Sequence, residues 1–273
     1  MNIRADVPAA PEDPGKRIVR QRDIINRRAL AGKIDEIIAE YGMSKARAKI
    51  LPILQDALAN GREEISRRLL KKPSAGHEMA AAQSFLVDQL VRLIHDIAVH
   101  HQYPVSNPSS GERIAVMAVG GYGRGEMAPH SDVDIAFLTP HKTTSWTEQA
   151  VEAMLYWLWD LGLKVGQSSR SIDEMVRMAK GDLSIRTALL EGRYIWGDTG
   201  VYEEAKQRFF NEVVAGTDSS FVAEKLAERD ARHKKMGDSR YVVEPNVKEG
   251  KGGMRDLQTL YWIGKYIHRV ASA

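Results

Sequence analysis

Two aspartates one residue apart, Asp132 and Asp134, follow the glycine pair Gly120 and Gly121, with eleven residues from Gly121 to Asp132. An apolar run, Ile114 to Val119, precedes the glycines, and a second one, Ile135 to Leu138, follows the aspartates. That order reads as strand, loop, strand. Side chains alternate faces along a strand, so Asp132 and Asp134 project to one side while Val133 and Ile135 project to the other. Two carboxylates so close repel each other and call for a cation between them. Mg²⁺ suits that place: it prefers oxygen ligands, takes one or two carboxylates from a protein and leaves the rest of its shell to water and substrate phosphates. Gly120, Gly121, Gly123 and Gly125 allow a close backbone approach with N–H groups turned inward, which suits a polyphosphate. The combination implies metal-assisted transfer from a nucleoside triphosphate, with Asp132 and Asp134 as both catalytic and metal-binding residues. The chain contains no Gly-Lys-Ser or Gly-Lys-Thr to support a P-loop reading.

The elements that must position this stretch can be read from punctuation and periodicity. Residues 1–15, with Pro8, Pro11 and Pro14, read as a mobile arm. Residues 16–103 form a helical segment: Ile24, Ile25, Leu30, Ile34, Ile37 and Ile38 recur near a 3.6 period, as do Leu86, Val87, Leu90, Val91, Ile94 and Ile97. Residues 104–200 carry the strand–loop–strand unit. There Ser145 and Glu148 have the form of a capping box, opening a helix that stops at Gly162 and covers the sheet. Leu163 to Gln167 reads as a third strand, and Ser171 with Glu174 caps another helix. Residues 201–273 form a second helical segment. Helices are expected over 182–196, 201–215, 219–236 and from about Leu257 to Val270. Before the last of these lies a charged, glycine-bearing loop, Tyr241 to Asp256. A helix N-terminus behind such a loop can bind anions, and Lys248, Lys251 and Arg255 are its candidates to meet phosphates.

The 273 residues are 43% hydrophobic and 27% charged, the balance of an ordinary globular protein. No apolar run approaches the ~20 residues of a membrane span, and the N-terminus lacks the apolar core of a signal peptide, so the expected location is the cytoplasm. The absence of cysteine removes thiolate catalysis and disulfides. The net charge of +3 is uneven, with sixteen Lys and Arg against ten Asp and Glu in residues 1–72. Those charges alternate along helical patterns without an aromatic platform, which reads as solvated helix faces and not as a nucleic-acid surface. His95-Asp96, His100 and His101 are close in sequence, but intervals of five and six do not stack side chains on one α-helical face. They read as a helix end, where histidine favours the negative end of the dipole.

Strand, Gly-Gly and Asp-x-Asp opening a second strand resemble the signature of the DNA polymerase β-like nucleotidyltransferase superfamily. Several motifs make the resemblance narrower: Gly120-Gly-Tyr-Gly-Arg-Gly125 with Ser131-Asp-Val-Asp134, Leu158-Trp-Asp-Leu-Gly-Leu-Lys-Val-Gly166, Ile185-Arg-Thr-Ala-Leu-Leu-Glu191, and Glu244-Pro-Asn-Val-Lys-Glu-Gly-Lys-Gly-Gly-Met-Arg-Asp256. Over roughly residues 110–270 the chain is similar to the bifunctional uridylyltransferase/uridylyl-removing enzymes, which modify the nitrogen-regulatory protein PII. The resemblance implies an α+β fold, a polymerase β-like domain with a small mixed sheet and helices, preceded and followed by helical segments. It implies transfer of UMP from UTP to a tyrosine of PII, with release of pyrophosphate and with Mg²⁺ as cofactor, and therefore UTP and PII as partners. The residues are then read with these roles: Asp132 and Asp134 hold Mg²⁺, Gly120, Gly121, Gly123 and the following backbone cradle the phosphates, Arg124 neutralises them, Ser131 helps orient the turn, and Lys248 and Arg255, from the loop before the last helix, hold the triphosphate or the incoming PII loop. The family carries uridylyl-removing and glutamine-sensing domains as well, and a chain ending at Ala273 is read as the transferase part alone. Three departures stand out. Gln167 lies where a histidine is expected, Lys251 lies where a proline is common, and Leu163 to Arg170 offers no third carboxylate, leaving Asp173, Glu174, Asp182 and Glu191 as candidates. The alternatives are a nucleotidyltransferase with another acceptor, an antibiotic or an RNA, and a catalytically silent module that binds nucleotide or PII.

Overall fold

The computed structural model describes residues 13–106, 109, 111–239, 241 and 243–270. Most of the expected N-terminal arm lies outside that range. Its end does not: Asp13 caps a short 3₁₀ turn, Pro14–Arg17, by accepting the Gly15 N–H. The contacts divide the chain into two units. One runs from the start of the described residues through Ile172 and takes in Glu191–Glu203; the other comprises Asp173–Leu190 and the chain from Glu204 onward. The sequence segments 16–103 and most of 104–200 therefore share one unit.

That unit is built around a buried helix. After the short α1 (Gln21–Ile24) come α2 (Arg27–Tyr41), α3 (Met43–Lys71) and α4 (Gly76–Asp96). Asn26 caps α2 by accepting the Ala29 N–H, and Gly42, in the left-handed region at φ 71, separates α2 from α3. A helix that is apolar all round must be enclosed, and α4 meets that description, with Leu86, Val87, Leu90, Val91 and Ile94 fully buried. Asp88, on the same helix, is fully buried too and has a partner described below. Four strands follow: β1 (Ala115–Ala118), β2 (Val133–Thr139), β3 (Val165–Ser171) and β4 (Arg193–Gly197). They lie in the order β3-β2-β1-β4, with β2 antiparallel to β1 and parallel to β3, and β4 antiparallel to β1. The sheet is thus small and mixed, in keeping with the α+β fold that the resemblance implies. Between β1 and β2 sits one helical turn, α5 (Gly120–Gly123), and α6 (Ser145–Asp160) makes the crossover from β2 to β3.

Four local expectations need correction. The capping box of α6 is Thr144 with Thr147, not Ser145 with Glu148; Thr144 accepts the Thr147 N–H while the Thr147 hydroxyl accepts the Thr144 N–H. β3 begins two residues later than expected and runs to Ser171. The helix expected over 182–196 stops at Leu190, and Arg193-Tyr-Ile-Trp-Gly197 becomes β4, because Gly192 breaks the helix and aromatic and β-branched side chains suit a strand. Lastly, α4 runs into a π-helical turn, Ile97–Gln102. The wider turn shifts the period, so His95 and His100 do meet, with ring centroids 6.4 Å apart. His95 Nδ1 is 3.2 Å and His100 Nε2 4.0 Å from Asp96 Oδ1, which also accepts the Trp196 indole N–H.

The second unit is helical. α7 (Ile172–Gly181) enters it, followed by α8 (Leu183–Leu190), the later part of α9 (Thr199–Phe209), α10 (Asp218–Lys235) and α11 (Met254–His268). Asp182 caps α8 by accepting the Ser184 and Ile185 N–H groups. The rings of Phe221 and Tyr266 stack at 3.8 Å, joining α10 to α11. Among the described residues, no helix is long and apolar enough to cross a membrane.

Gly61 shows how closely α3 packs. A Cβ there would lie 2.6 and 2.8 Å from the two Leu86 methyl carbons and 3.0 Å from the Ile24 carbonyl oxygen. Gly61→Ala adds about 1 kcal/mol of helix propensity, but overpacking a filled core costs about 1–3 kcal/mol. We expect net destabilisation, read as a lower urea midpoint at unchanged m-value. A raised midpoint would contradict this packing.

Candidate active site

β1 delivers the chain to the glycine turn and β2 carries it away, so the turn and the aspartates are brought together by a strand pair. The Val119 N–H donates to the Asp134 carbonyl at 3.0 Å, extending the β1–β2 ladder to the edge of the site. Val133 and Ile135 are buried, Asp134 is half-buried and Asp132 is exposed, the alternation expected of a strand entering from solvent. On one flank of Asp134, a Cβ at Gly120 would lie 3.5 Å from Oδ2. On the other flank stands Gly166, the register partner of Asp134 on β3, where a Cβ would overlap Oδ1. Gly166 is not among the site residues expected from the sequence. The sign that could have found it is a glycine inside a strand, which marks a close approach of another group.

α5 is one helical turn rather than an open loop. Gly120 enters it at φ 60, a conformation that glycine adopts without strain. The N–H groups of Gly123, Arg124, Gly125 and Glu126 bond back to carbonyls of the turn and its approach. Those of Gly120, Gly121 and Tyr122 open the turn and have no helical acceptor, and they stand at the end beside Asp134. The other end is pinned. Arg124 donates to Glu126 at 2.8 Å and to the buried Glu191 at 2.5 Å. Burial opposes the Arg124 charge, but the Glu191 and Glu126 carboxylates together outweigh it and the pKa lies above the ordinary arginine value. Gly123 cannot be larger, because a Cβ would overlap the Glu191 carbonyl.

The electrostatics of the pair fit a cation. Burial raises the Asp134 pKa, and the nearby Asp132 charge raises it further. Both causes act against the charged form, and a divalent ion at the carboxylates would relieve both. Among the described residues, no three His, Asp or Glu side chains are grouped to hold a metal. An ion held by Asp132 and Asp134 alone would have to complete its shell from water and phosphate oxygens, the habit of Mg²⁺.

The remaining residues named from the sequence fall as follows. Ser131 is exposed, in a turn where its N–H donates to Ala128 and His130 adopts φ 63. Of the third-carboxylate candidates, Glu191 holds Arg124, Asp173 pairs with Arg208, Glu174 lies 3.8 Å from Arg177, and Asp182 caps α8. In the second unit the loop before α11 is internally tied. Arg255 donates to Glu249 at 3.2 Å and to Gln258 at 2.8 Å, and Lys251 to Asp238 at 2.9 Å. Asp256 accepts from Arg232, His233 and the Gly252 N–H, while Lys248 is exposed.

Comparison with known proteins matches this architecture. Residues 106–195 fit the family model described as "Nucleotidyltransferase domain", and residues 220–273 fit "GlnD PII-uridylyltransferase". A "bifunctional uridylyltransferase/uridylyl-removing enzyme" of Novosphingobium aromaticivorans is 66% identical over 94% of this chain. The chain belongs to that enzyme family. Uridylyltransferase/uridylyl-removing enzymes of Erythrobacter litoralis and Rhodospirillum rubrum are 65% and 52% identical over 94% and 93% of the chain. The chain spans 28% of the length of the first two relatives and 27% of the third.

The raised Asp134 pKa has a definite sign. For a carboxylate whose folded pKa is raised, the stabilisation is complete below the ordinary carboxylate pKa and is lost as pH rises through the folded value. At neutral pH the fold carries the cost of the ionised group. Asp134→Asn should therefore raise the melting temperature at pH 7, and the gain should shrink towards acid pH. A lower melting temperature at pH 7 would contradict this reading.

Proposed function

We propose that this chain transfers UMP from UTP to a tyrosine of the PII signalling protein, releasing pyrophosphate, with Mg²⁺ held by Asp132 and Asp134. The observation that carries the reading is the Asp134 carboxylate set beside the N–H end of a glycine turn, within a chain so similar to uridylyltransferases. When bound, Mg²⁺ supplies charge neutralisation on the triphosphate oxygens. The rest is the work of the chain. The N–H groups of Gly120, Gly121 and Tyr122 donate to phosphate oxygens without bringing a competing charge. Asp132, at the exposed edge, faces the incoming nucleotide, and the Asp134 carboxylate fits in the space that the missing side chain of Gly166 leaves. Because the turn is anchored beforehand, little reorganisation is needed as charge redistributes.

In the transfer itself, the phenol oxygen of the acceptor bonds to the α-phosphorus as the bond from that phosphorus to the bridging oxygen breaks. Pyrophosphate leaves with the electron pair and the phenol proton passes to solvent. Positioning and electrostatics then account for most of the rate. We assign Arg124 to anchoring the turn, since its guanidinium is shared between Glu126 and Glu191. The assignment of Lys248 and Arg255 to nucleotide or acceptor rests on the sequence of their loop, and Ser131 on its place before Asp132. A cytoplasmic location suits an enzyme that consumes UTP.

The test is incubation of the chain with Mg²⁺ and α-labelled UTP, ATP or CTP, with PII, RNA or an aminoglycoside offered as acceptor. We expect label to pass from UTP to PII, and Asp132→Ala to lower the rate by about 10³-fold or more. Full transfer by Asp132→Ala, or label passing to RNA or an aminoglycoside instead of PII, would contradict the proposal.

A further inference from the structure

We propose that Arg193, locked in place by Asp88, is a positioning residue that sets the direction of the phosphate-binding N–H groups. This inference rests on the reading of the glycine turn given above. Asp88 is fully buried in α4, where an ionised carboxylate without a partner is costly. Its partner is the Arg193 guanidinium on β4, with Nη1 donating to Oδ2 at 2.8 Å and Nη2 to Oδ1 at 3.1 Å. Burial acts against the Arg193 charge, and the Asp88 carboxylate more than offsets it, leaving the pKa above the ordinary value.

The same guanidinium reaches the far end of α5. Its Nε donates to the Gly123 carbonyl and its Nη2 to the Tyr122 carbonyl, each at 3.2 Å. Within a helical turn the carbonyls and the N–H groups point in opposite directions along the axis. Holding the carbonyls of Tyr122 and Gly123 therefore fixes the direction in which the N–H groups of Gly120, Gly121 and Tyr122 point. The segment Glu191-Gly-Arg193 acts twice on the turn, since Glu191 holds Arg124 and its carbonyl packs against Gly123. A buried ion pair and a part-buried one thus converge on one turn of helix. Neither includes an atom at the N–H end.

A buried ion pair is weak evidence for stability in itself, and this geometry gives the pair a directional task. Only a planar fork can bond Asp88 through two nitrogens and also cap two successive carbonyls. A lysine at 193 would keep the charge beside Asp88 and lose the reach to the turn. The expected phenotype of Arg193→Lys is a folded protein with weakened triphosphate binding.

The experiment measures Mg²⁺·UTP binding by calorimetry and UMP transfer to PII, for the unaltered chain, Arg193→Lys and Asp88→Asn. All are assayed at least 10 °C below the melting temperature of the variant. We expect the Kd and the KM for UTP to rise about tenfold or more in Arg193→Lys, the size of a lost charge-assisted hydrogen bond, with a smaller change in the KM for PII. Asp88→Asn, which keeps an acceptor but frees the guanidinium from its anchoring charge, should fall between. Unchanged UTP affinity in both folded variants would overturn the inference while leaving the transfer reading intact. An equal rise in both KM values would reduce Arg193 to general support of the fold and also overturn it. Failure of the unaltered chain to bind UTP would remove the transfer reading and the inference together.

Discussion

The architecture depends on keeping one carboxylate in a place that disfavours it. Asp134 is half-buried at the start of β2 beside a second negative charge, and burial and that charge both push its pKa upward. Glycine is favoured on both flanks for different reasons: Gly120 opens the turn at φ 60, where an L side chain is strained, and a side chain at Gly166 would overlap Oδ1. A position selected for packing alone would hold an apolar residue, since burying a charge without a partner is costly. The strain is resolved if the partner arrives from outside as a cation with its phosphates. The sheet order brings these flanks together: β2 has β1, which leads into the turn, on one side and β3, which carries Gly166, on the other.

Rigidity at this site comes from beneath it. Gly120–Gly123 is too short to be stable as an isolated helix. Its conformation is imposed by β1 and by two arginines, Arg124 within the turn region and Arg193 on β4, each tied to a buried carboxylate. Buried charge pairs contribute little net stability, but they permit few alternative arrangements. The second unit follows a different logic: its loop before α11 is tied by exposed or half-buried pairs such as Arg255 with Glu249, each worth little alone.

Much of this was legible in the residues. Alternation placed Asp132 and Asp134 on one face, and the glycine pair located the turn. The mixed sheet with its helical surroundings followed from the motifs. What escaped had identifiable causes. The turn read as a loop, because glycines signal conformational freedom and not the helical outcome that surrounding contacts select. β4 was hidden inside a helical pattern, and its importance depends on Arg193 meeting Asp88, 105 residues earlier. No local pattern encodes such a contact. The π-turn after α4 defeated a periodicity argument that assumed α-helical spacing for His95 and His100. Arg124 shows the limit of local reading: an arginine among glycines suggests phosphate, and its hydrogen bonds to Glu126 and Glu191, the latter 67 residues later, add an anchoring role that no local pattern encodes.

The central claim is that the N–H end of the glycine turn, with the aspartate pair, receives a nucleoside triphosphate. The most direct measurement is residue-resolved amide hydrogen exchange, with and without Mg²⁺ and a non-hydrolysable UTP analogue. The account predicts that Gly120, Gly121 and Tyr122 gain protection together on addition of both, and that Asp134→Asn abolishes the gain. Bound nucleotide that leaves these three amides unchanged and protects a different segment would contradict it.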